Sequence, residues 1–275
     1  MMASPTLPFH DGKAIPQLGF GVWQVPNDEA AAVVSEALRV GYRSIDTAAI
    51  YGNEEGVGAA IRQTDVPREE LFITTKLWNA DQGYDETLRA FDESLRKLGL
   101  ESIDLYLIHW PCPQKDAYVE TWRAFQKLKQ DGRVKSIGVS NFTISNLERL
   151  FDETGEKPVL NQVELHPRFQ QKALRDFHAE HGILTESWSP LGRGQLFDSG
   201  PLTTLARKYG KSVAQVILRW HLDSGLVVIP KSVTPGRIRE NFDVLDFRLE
   251  PEDIALIAEL DDKNGRVGPD PETLN

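Results

Sequence analysis

The hydrophobic residues of this chain change period again and again. Short β-branched or apolar runs stand at residues 18–22, 44–46, 71–75, 103–108, 134–139, 159–163, 183–184 and 226–229. Between them, apolar residues recur at helical spacing. Val33, Ala37 and Val40 share one face up to Gly41, and Leu88, Phe91, Leu95 and Leu98 share another up to Gly99. Thr143 precedes Ile144, Leu147 and Leu150, and Ser212 precedes Val213, Val216 and Trp220, each placed as an N-cap. Eight strand–helix repeats of about 34 residues predict an α/β fold of the (β/α)8 TIM-barrel kind. Residues 7–13, with Asp11-Gly12 as the turn, predict a small N-terminal β-hairpin before it.

The competing fold is a doubly wound open sheet. It needs a Gly-x-Gly-x-x-Gly turn directly after a first strand. Gly19-Phe20-Gly21 lacks the third glycine in position, and Gly56-Val57-Gly58 falls inside a helical pattern. With no low-complexity linker or shift in composition, residues 1–275 read as one domain. The hydrophobic content of 40% excludes disorder, and no apolar run approaches membrane-spanning length. Met1 to His10 lacks the basic and apolar blocks of a signal peptide, so a cytoplasmic location is expected. A single cysteine, Cys112, excludes an intramolecular disulfide. The net charge of −10 makes nucleic acid and anionic membranes poor partners, so any anionic ligand needs a local cationic site.

In such barrels, polar side chains at C-terminal strand ends carry chemistry. Asp46 ends the second strand, with Tyr51 in the loop beyond it; Lys76 ends the third and His109 the fourth. Singly, each has a plain structural explanation: a cap, a packed ring, a rim charge, a core histidine. Together, on three adjacent strands, they describe a proton-donating site. A tyrosine, with an ordinary pKa of about 10, is a weak acid at neutral pH. A lysine beside it lowers that value, a carboxylate keeps the lysine charged, and a histidine orients a carbonyl oxygen. No nucleophile or metal cluster accompanies them, so electrons must come from elsewhere.

The stretch from Asp46-Thr47-Ala48-Ala49-Ile50-Tyr51-Gly52-Asn53 to Gly58 resembles the first signature of the aldo-keto reductase family. Leu98-Gly99-Leu100, running to Asp104 and on to His109-Trp110-Pro111, resembles its second, and Ile229-Pro230-Lys231-Ser232 its third. Gly138-Val139-Ser140-Asn141-Phe142 and Asn161-Gln162-Val163-Glu164 match in order. Trp188, where many members carry tyrosine, resembles the bacterial diketo-gluconate reductase branch. The resemblance implies a monomeric barrel that reduces aldehydes or ketones with NADPH. Tyr51 becomes the proton donor, Lys76 and Asp46 its tuners and His109 the residue that orients substrate.

The resemblance also implies a cofactor site. The residue types support one: Thr234-Pro235 starts a helix beside Lys231 and Arg237, an anion site by dipole and charge. Between Leu226 and Asn241 there are three cations, Arg239 being the third, against one anion, Glu240. By resemblance Lys231, Ser232 and Arg237 hold the 2′-phosphate, with Val233 and Thr234 in the same segment, and Asn241 and Glu240 reach the adenine. Ser140, Asn141 and Gln162 bond the nicotinamide amide; Trp188 stacks on its ring and leads into Ser189, Pro190, Leu191 and Gly192. Trp23, Trp78 and Trp110, with Trp188 and Phe20, predict an aromatic mouth for the substrate. Diketo-gluconate-type ketoses, methylglyoxal and aromatic aldehydes are the candidate substrates. A non-catalytic NADPH-binding redox sensor is the alternative, and a glycosidase using Glu164 and Glu186 a more distant one. His178 and His181 read as surface residues and Cys112 as packing.

Overall fold

A computed structural model describes residues 4–274. The chain opens with the antiparallel hairpin β1 (Thr6–Pro8) and β2 (Ala14–Pro16), its turn carried by Gly12 at φ 84°. Phe9 and Ile15 pack onto Leu105, Leu107, Leu160 and Val227, so the hairpin plugs the end of the barrel where the strands begin. The opposite end is left open for a site.

Eight parallel strands follow in sequence order: β3 (Phe20–Gly21), β4 (Ser44–Asp46), β5 (Phe72–Leu77), β6 (Ile103–Ile108), β7 (Val134–Ser140), β8 (Leu160–Glu164), β9 (Leu184–Trp188) and β10 (Val227–Val228). The ring closes between its first and last strands. Gly19 N–H donates to Val228 O at 2.9 Å, Val228 N–H to Gln17 O at 2.9 Å, and Gly21 N–H to Pro230 O at 3.1 Å. The (β/α)8 barrel with an N-terminal hairpin is therefore the observed fold. Strand β9 runs four residues past the run legible in the sequence. Its Thr185, Glu186 and Ser187 are buried polar residues, so no hydrophobic pattern marks it.

The helices outside the strands are α1 (Asn27–Val40), α2 (Glu54–Gln63), α3 (Tyr84–Leu98), α4 (Tyr118–Gln130), α5 (Ile144–Thr154), α6 (Lys172–His181), α7 (Gly200–Tyr209), α8 (Val213–Asp223), α9 (Pro235–Phe242) and α10 (Pro251–Ala258). Thr143 and Ser212 each form a reciprocal capping box, with Asn146 and Gln215. Helix α1 stops at Gly41, where φ is 125° and a Cβ would lie 2.9 Å from the Phe242 ring. Helices α7 and α10 are additions to the eightfold repeat that the apolar spacing did not announce. His178 is not a surface residue. It is fully buried, bonded to Asn161 Nδ2 at 3.0 Å and Thr185 Oγ1 at 2.9 Å. His181 is half-buried and stacks on Phe177. Phe20 likewise leaves the predicted mouth: it is buried against Tyr42.

Candidate active site

At the open end, the strand termini surround a cavity of about 540 Å³. Its lining includes Asp46, Tyr51, His109 and the four tryptophans Trp23, Trp78, Trp110 and Trp188. Lys76 lies directly beneath, fully buried. Its ammonium donates to Asp46 Oδ1 at 2.5 Å, to Thr47 O at 3.0 Å and reaches Tyr51 Oη at 3.5 Å. All three N–H groups are thus directed, and the lysine cannot turn elsewhere. Burial opposes its charge, but Asp46 and then Tyr51 outweigh burial and hold its pKa above the ordinary lysine value.

Tyr51 differs from the sequence expectation. Burial raises its pKa, Lys76 lowers it, Asp46 raises it again, and the net direction is upward. Lys76 acts in the expected sense without prevailing, so the phenol remains an O–H donor across the physiological range. His109 is held neutral: burial, and then the charge of Lys76, push its pKa well below 6.5. Its ring meets Tyr51 edge-on at 5.8 Å and Trp78 edge-on at 5.3 Å.

Beside this group, Asn141 adopts the left-handed conformation at φ 63°. Its Nδ2 donates to His109 O at 3.0 Å and to Ser140 Oγ at 3.1 Å, while its Oδ1 accepts from Trp188 Nε1 at 2.8 Å. Ser140 Oγ donates to the backbone oxygen of Gln162 at 2.7 Å. The cavity continues past Ser189, Pro190 and Ile229 to Lys231. Beyond it, helix α9 begins without a side-chain cap, since Thr234 makes no such bond and Ser232 Oγ accepts from Thr234 N–H instead. Its first-turn N–H groups lie beside Lys231 and Arg237, exposed cations that enter no ion pair among the described residues. Arg239, counted with them from the sequence, is spent on Glu36 at 2.7 Å.

Residues 17–262 match the model of the aldo/keto reductase family. The chain belongs to that family. It is 57% identical over 274 residues to methylglyoxal reductase DkgA of Escherichia coli strain K12, with 98% of each chain covered. The crystal structure of an aldo/keto reductase from Brucella melitensis superposes with a TM-score of 0.92 at 61% identity, covering 94% of this chain and all of that one. A Gox0644 variant solved in complex with NADPH superposes at 0.96 with 54% identity, both chains fully covered.

In this aldo/keto reductase the fold gathers most of the sequence candidates around one cavity. Asp46, Tyr51, His109, Ser140, Asn141, Gln162, Trp188, Ser189, Pro190 and Lys231 share the cavity, and Lys76 supports it from below. Leu191 and Gly192 do not line it; Gly192 turns at φ 56° against Leu196 and His166. Ser232, Val233, Thr234, Arg237, Glu240 and Asn241 lie outside the cavity, Asn241 buried and Val233 and Thr234 exposed.

Several further lining residues were not assigned to the site from the sequence, among them Gln24, Ile50, Arg193, Pro269 and Leu274. Arg193, between two glycines and at φ 53°, lies over the Trp23 ring at 5.4 Å. Its unusual flanks were the one available signal. Pro269 and Leu274 arrive from the C-terminal tail. Glu164 anchors that tail, its carboxylate accepting from Val267 N–H at 2.6 Å, Gly268 N–H at 2.8 Å and His166 Nε2 at 3.1 Å. Glu164 and Glu186 are therefore no glycosidase pair: neither lines the cavity. Cys112 is fully buried and burial pushes its thiol up to about 11, which fits packing and not reactivity.

Proposed function

We propose that this enzyme reduces aldehydes and ketones to alcohols with NADPH, Tyr51 giving the proton. The observation that carries the reading is Tyr51 Oη on a cavity wall beside neutral His109, with buried, Asp46-paired Lys76 within 3.5 Å. The cofactor fits what the chain offers. The uncapped N-terminus of α9 with Lys231 and Arg237 suits a phosphate, and the cavity runs from Lys231 to Tyr51. Ser232, Glu240 and Asn241 belong to that end, and Ser140, Asn141, Gln162 and the Trp188 ring to the nicotinamide end.

When bound, NADPH supplies a hydride to the carbonyl carbon. The chain supplies the rest. Neutral His109 donates to the carbonyl oxygen and orients it. Tyr51 then transfers its proton to that oxygen as charge develops. An alkoxide is far more basic than a phenolate, so the transfer stays downhill even with the tyrosine pKa raised. Lys76, unable to leave Asp46 and Thr47, stabilises the phenolate left behind.

The aromatic wall of Trp23, Trp78 and Trp110 selects small carbonyl compounds, and the similarity to a methylglyoxal reductase favours short dicarbonyls over diketo-gluconate-type ketoses and aromatic aldehydes. The same reading takes the enzyme to work in the cytoplasm as a monomer. Among the described residues no helix is long and apolar enough to cross a membrane. The test is a steady-state panel of these three carbonyl classes with NADPH and NADH in parallel. Turnover with methylglyoxal and NADPH is expected; no turnover with any carbonyl overturns the reading.

A further inference from the structure

Glu186 is a buried carboxylate that the reduction leaves without a task. It sits on β9, 1% exposed, paired in register with Gln162 of β8. Gln162 Nε2 donates to Glu186 Oε2 at 2.7 Å and, across the barrel, to Asp46 Oδ2 at 2.8 Å. An amide has one end that donates and one that accepts. Two carboxylates converging on the same end commit the NH2 group of Gln162 to the barrel interior. Its Oε1 accepts no hydrogen bond among the described residues, and Gln162 lines the cavity.

We propose that Glu186 is a positioning residue for cofactor binding: with Asp46 it locks the Gln162 side-chain amide so that Oε1, the accepting end, faces the cavity and receives an N–H of the nicotinamide carboxamide. The inference rests on the reading that the nicotinamide lies against Gln162. It extends that reading by giving the glutamine a polarity and naming the residue that sets it. Glu186 holds this role in either protonation state, since a carboxylic acid retains an accepting oxygen. Burial and then the charge of Asp46 push its pKa upward, so it adds little negative charge beside the pair formed by Lys76 and Asp46.

The probe is a cofactor analogue lacking the donor. In 3-acetylpyridine adenine dinucleotide phosphate a methyl group replaces the carboxamide NH2, while the carbonyl and the rest of the dinucleotide are kept. Dissociation constants for NADP+ and for this analogue are measured by calorimetry on the full chain. The wild-type enzyme is expected to prefer NADP+ by about fivefold or more, the worth of one net hydrogen bond. Glu186→Leu and Glu186→Met, two apolar fillers of the same space, should lose that preference. Glu186→Gln, which still offers an accepting oxygen, should retain it.

Gln162→Leu separates the two levels of the argument. If Gln162→Leu leaves the preference intact, the nicotinamide does not lie against Gln162, and both readings fall. If Gln162→Leu abolishes the preference while the apolar Glu186 variants keep it, the assignment of Glu186 alone is overturned. Should neither apolar variant fold, the side-chain amide protons of Gln162 in the wild-type enzyme decide by NMR. Slow exchange that persists when NADP+ binds supports the lock, and fast exchange with bulk water overturns it.

Discussion

The indole N–H of Trp188 donates to Asn141 Oδ1 at 2.8 Å, and so joins the last residue of β9 to a left-handed turn after β7. A tyrosine at this place would present a ring without a donor at that point of its edge. The bond fixes the indole plane and, through Asn141 Nδ2, the backbone of His109. Trp188→Phe keeps a ring and removes the donor. NADPH affinity should then fall about fivefold, read by calorimetry, as expected for one buried bond left unmade. Unchanged affinity would mean that the ring face alone matters.

Tyr51→Phe should lower carbonyl turnover about 10²- to 10⁴-fold, the range for loss of a general acid, while NADPH still binds. Burst and steady-state assays together would show whether the chemical step is the one slowed. Turnover at the wild-type rate would remove Tyr51 from its role.

Arg237→Ala should weaken NADPH about tenfold and leave NADH nearly unaffected, because an exposed charge-assisted contact to phosphate is worth about 1–2 kcal/mol. Parallel KM values for the two cofactors measure it. Equal losses would move the phosphate elsewhere. Arg239→Ala is the informative control, since its guanidinium is already paired with Glu36.

Two buried histidines outside the site, His178 and His221, contribute to acid sensitivity in the same sense as His109. Burial holds His178 down to about 3 and His221 down to about 4, both below the ordinary 6.5. The unfolded chain therefore binds more protons than the folded one between those values. Their contribution is complete above pH 6.5 and is lost as pH falls toward 4 and then 3, at about 1.4 kcal/mol per pH unit for each proton. Urea unfolding at pH 7.0, 6.0 and 5.0 should show the decline, and His178→Gln should flatten it by one proton.

The C-terminal tail is tested at Gly268. A Cβ there would lie 2.3 Å from Trp188 Cη2 and 2.8 Å from Glu164 Oε2. Gly268→Ala should displace the tail, and with it Pro269 and Leu274, from the cavity wall. KM for carbonyl substrates should rise several-fold with a smaller change in kcat, the mark of lost ground-state contacts.

Much of the proposed catalytic group was legible in the sequence, because a parallel barrel brings C-terminal strand ends to one rim. Asp46, Lys76 and His109 each follow a recognisable apolar strand, so their convergence follows from the repeat. The mouth was legible in four of its tryptophans and failed at Phe20, since an aromatic residue on a strand faces either the rim or the surrounding helices. His178 failed for a related reason. A histidine on a polar helix reads as exposed unless its partners, Asn161 and Thr185 on two neighbouring strands, are known.

By itself the sequence determined what local periodicity and local chemistry can determine: eight strand–helix repeats, the N-caps at Thr143 and Ser212, and the residue types at the rim. The tertiary structure alone decided which of those groups are spent on one another. Gln162 meets Asp46 across 116 positions of chain, and Glu164 meets Val267 across 103. Arg239 is claimed by Glu36, while Lys231 and Arg237 stay unpaired among the described residues. Hydrogen bonds and charge pairs act over a few ångströms of space whatever the distance along the chain. Only closure of the barrel brings such partners within reach, and it also allows burial to overrule Lys76 at Tyr51.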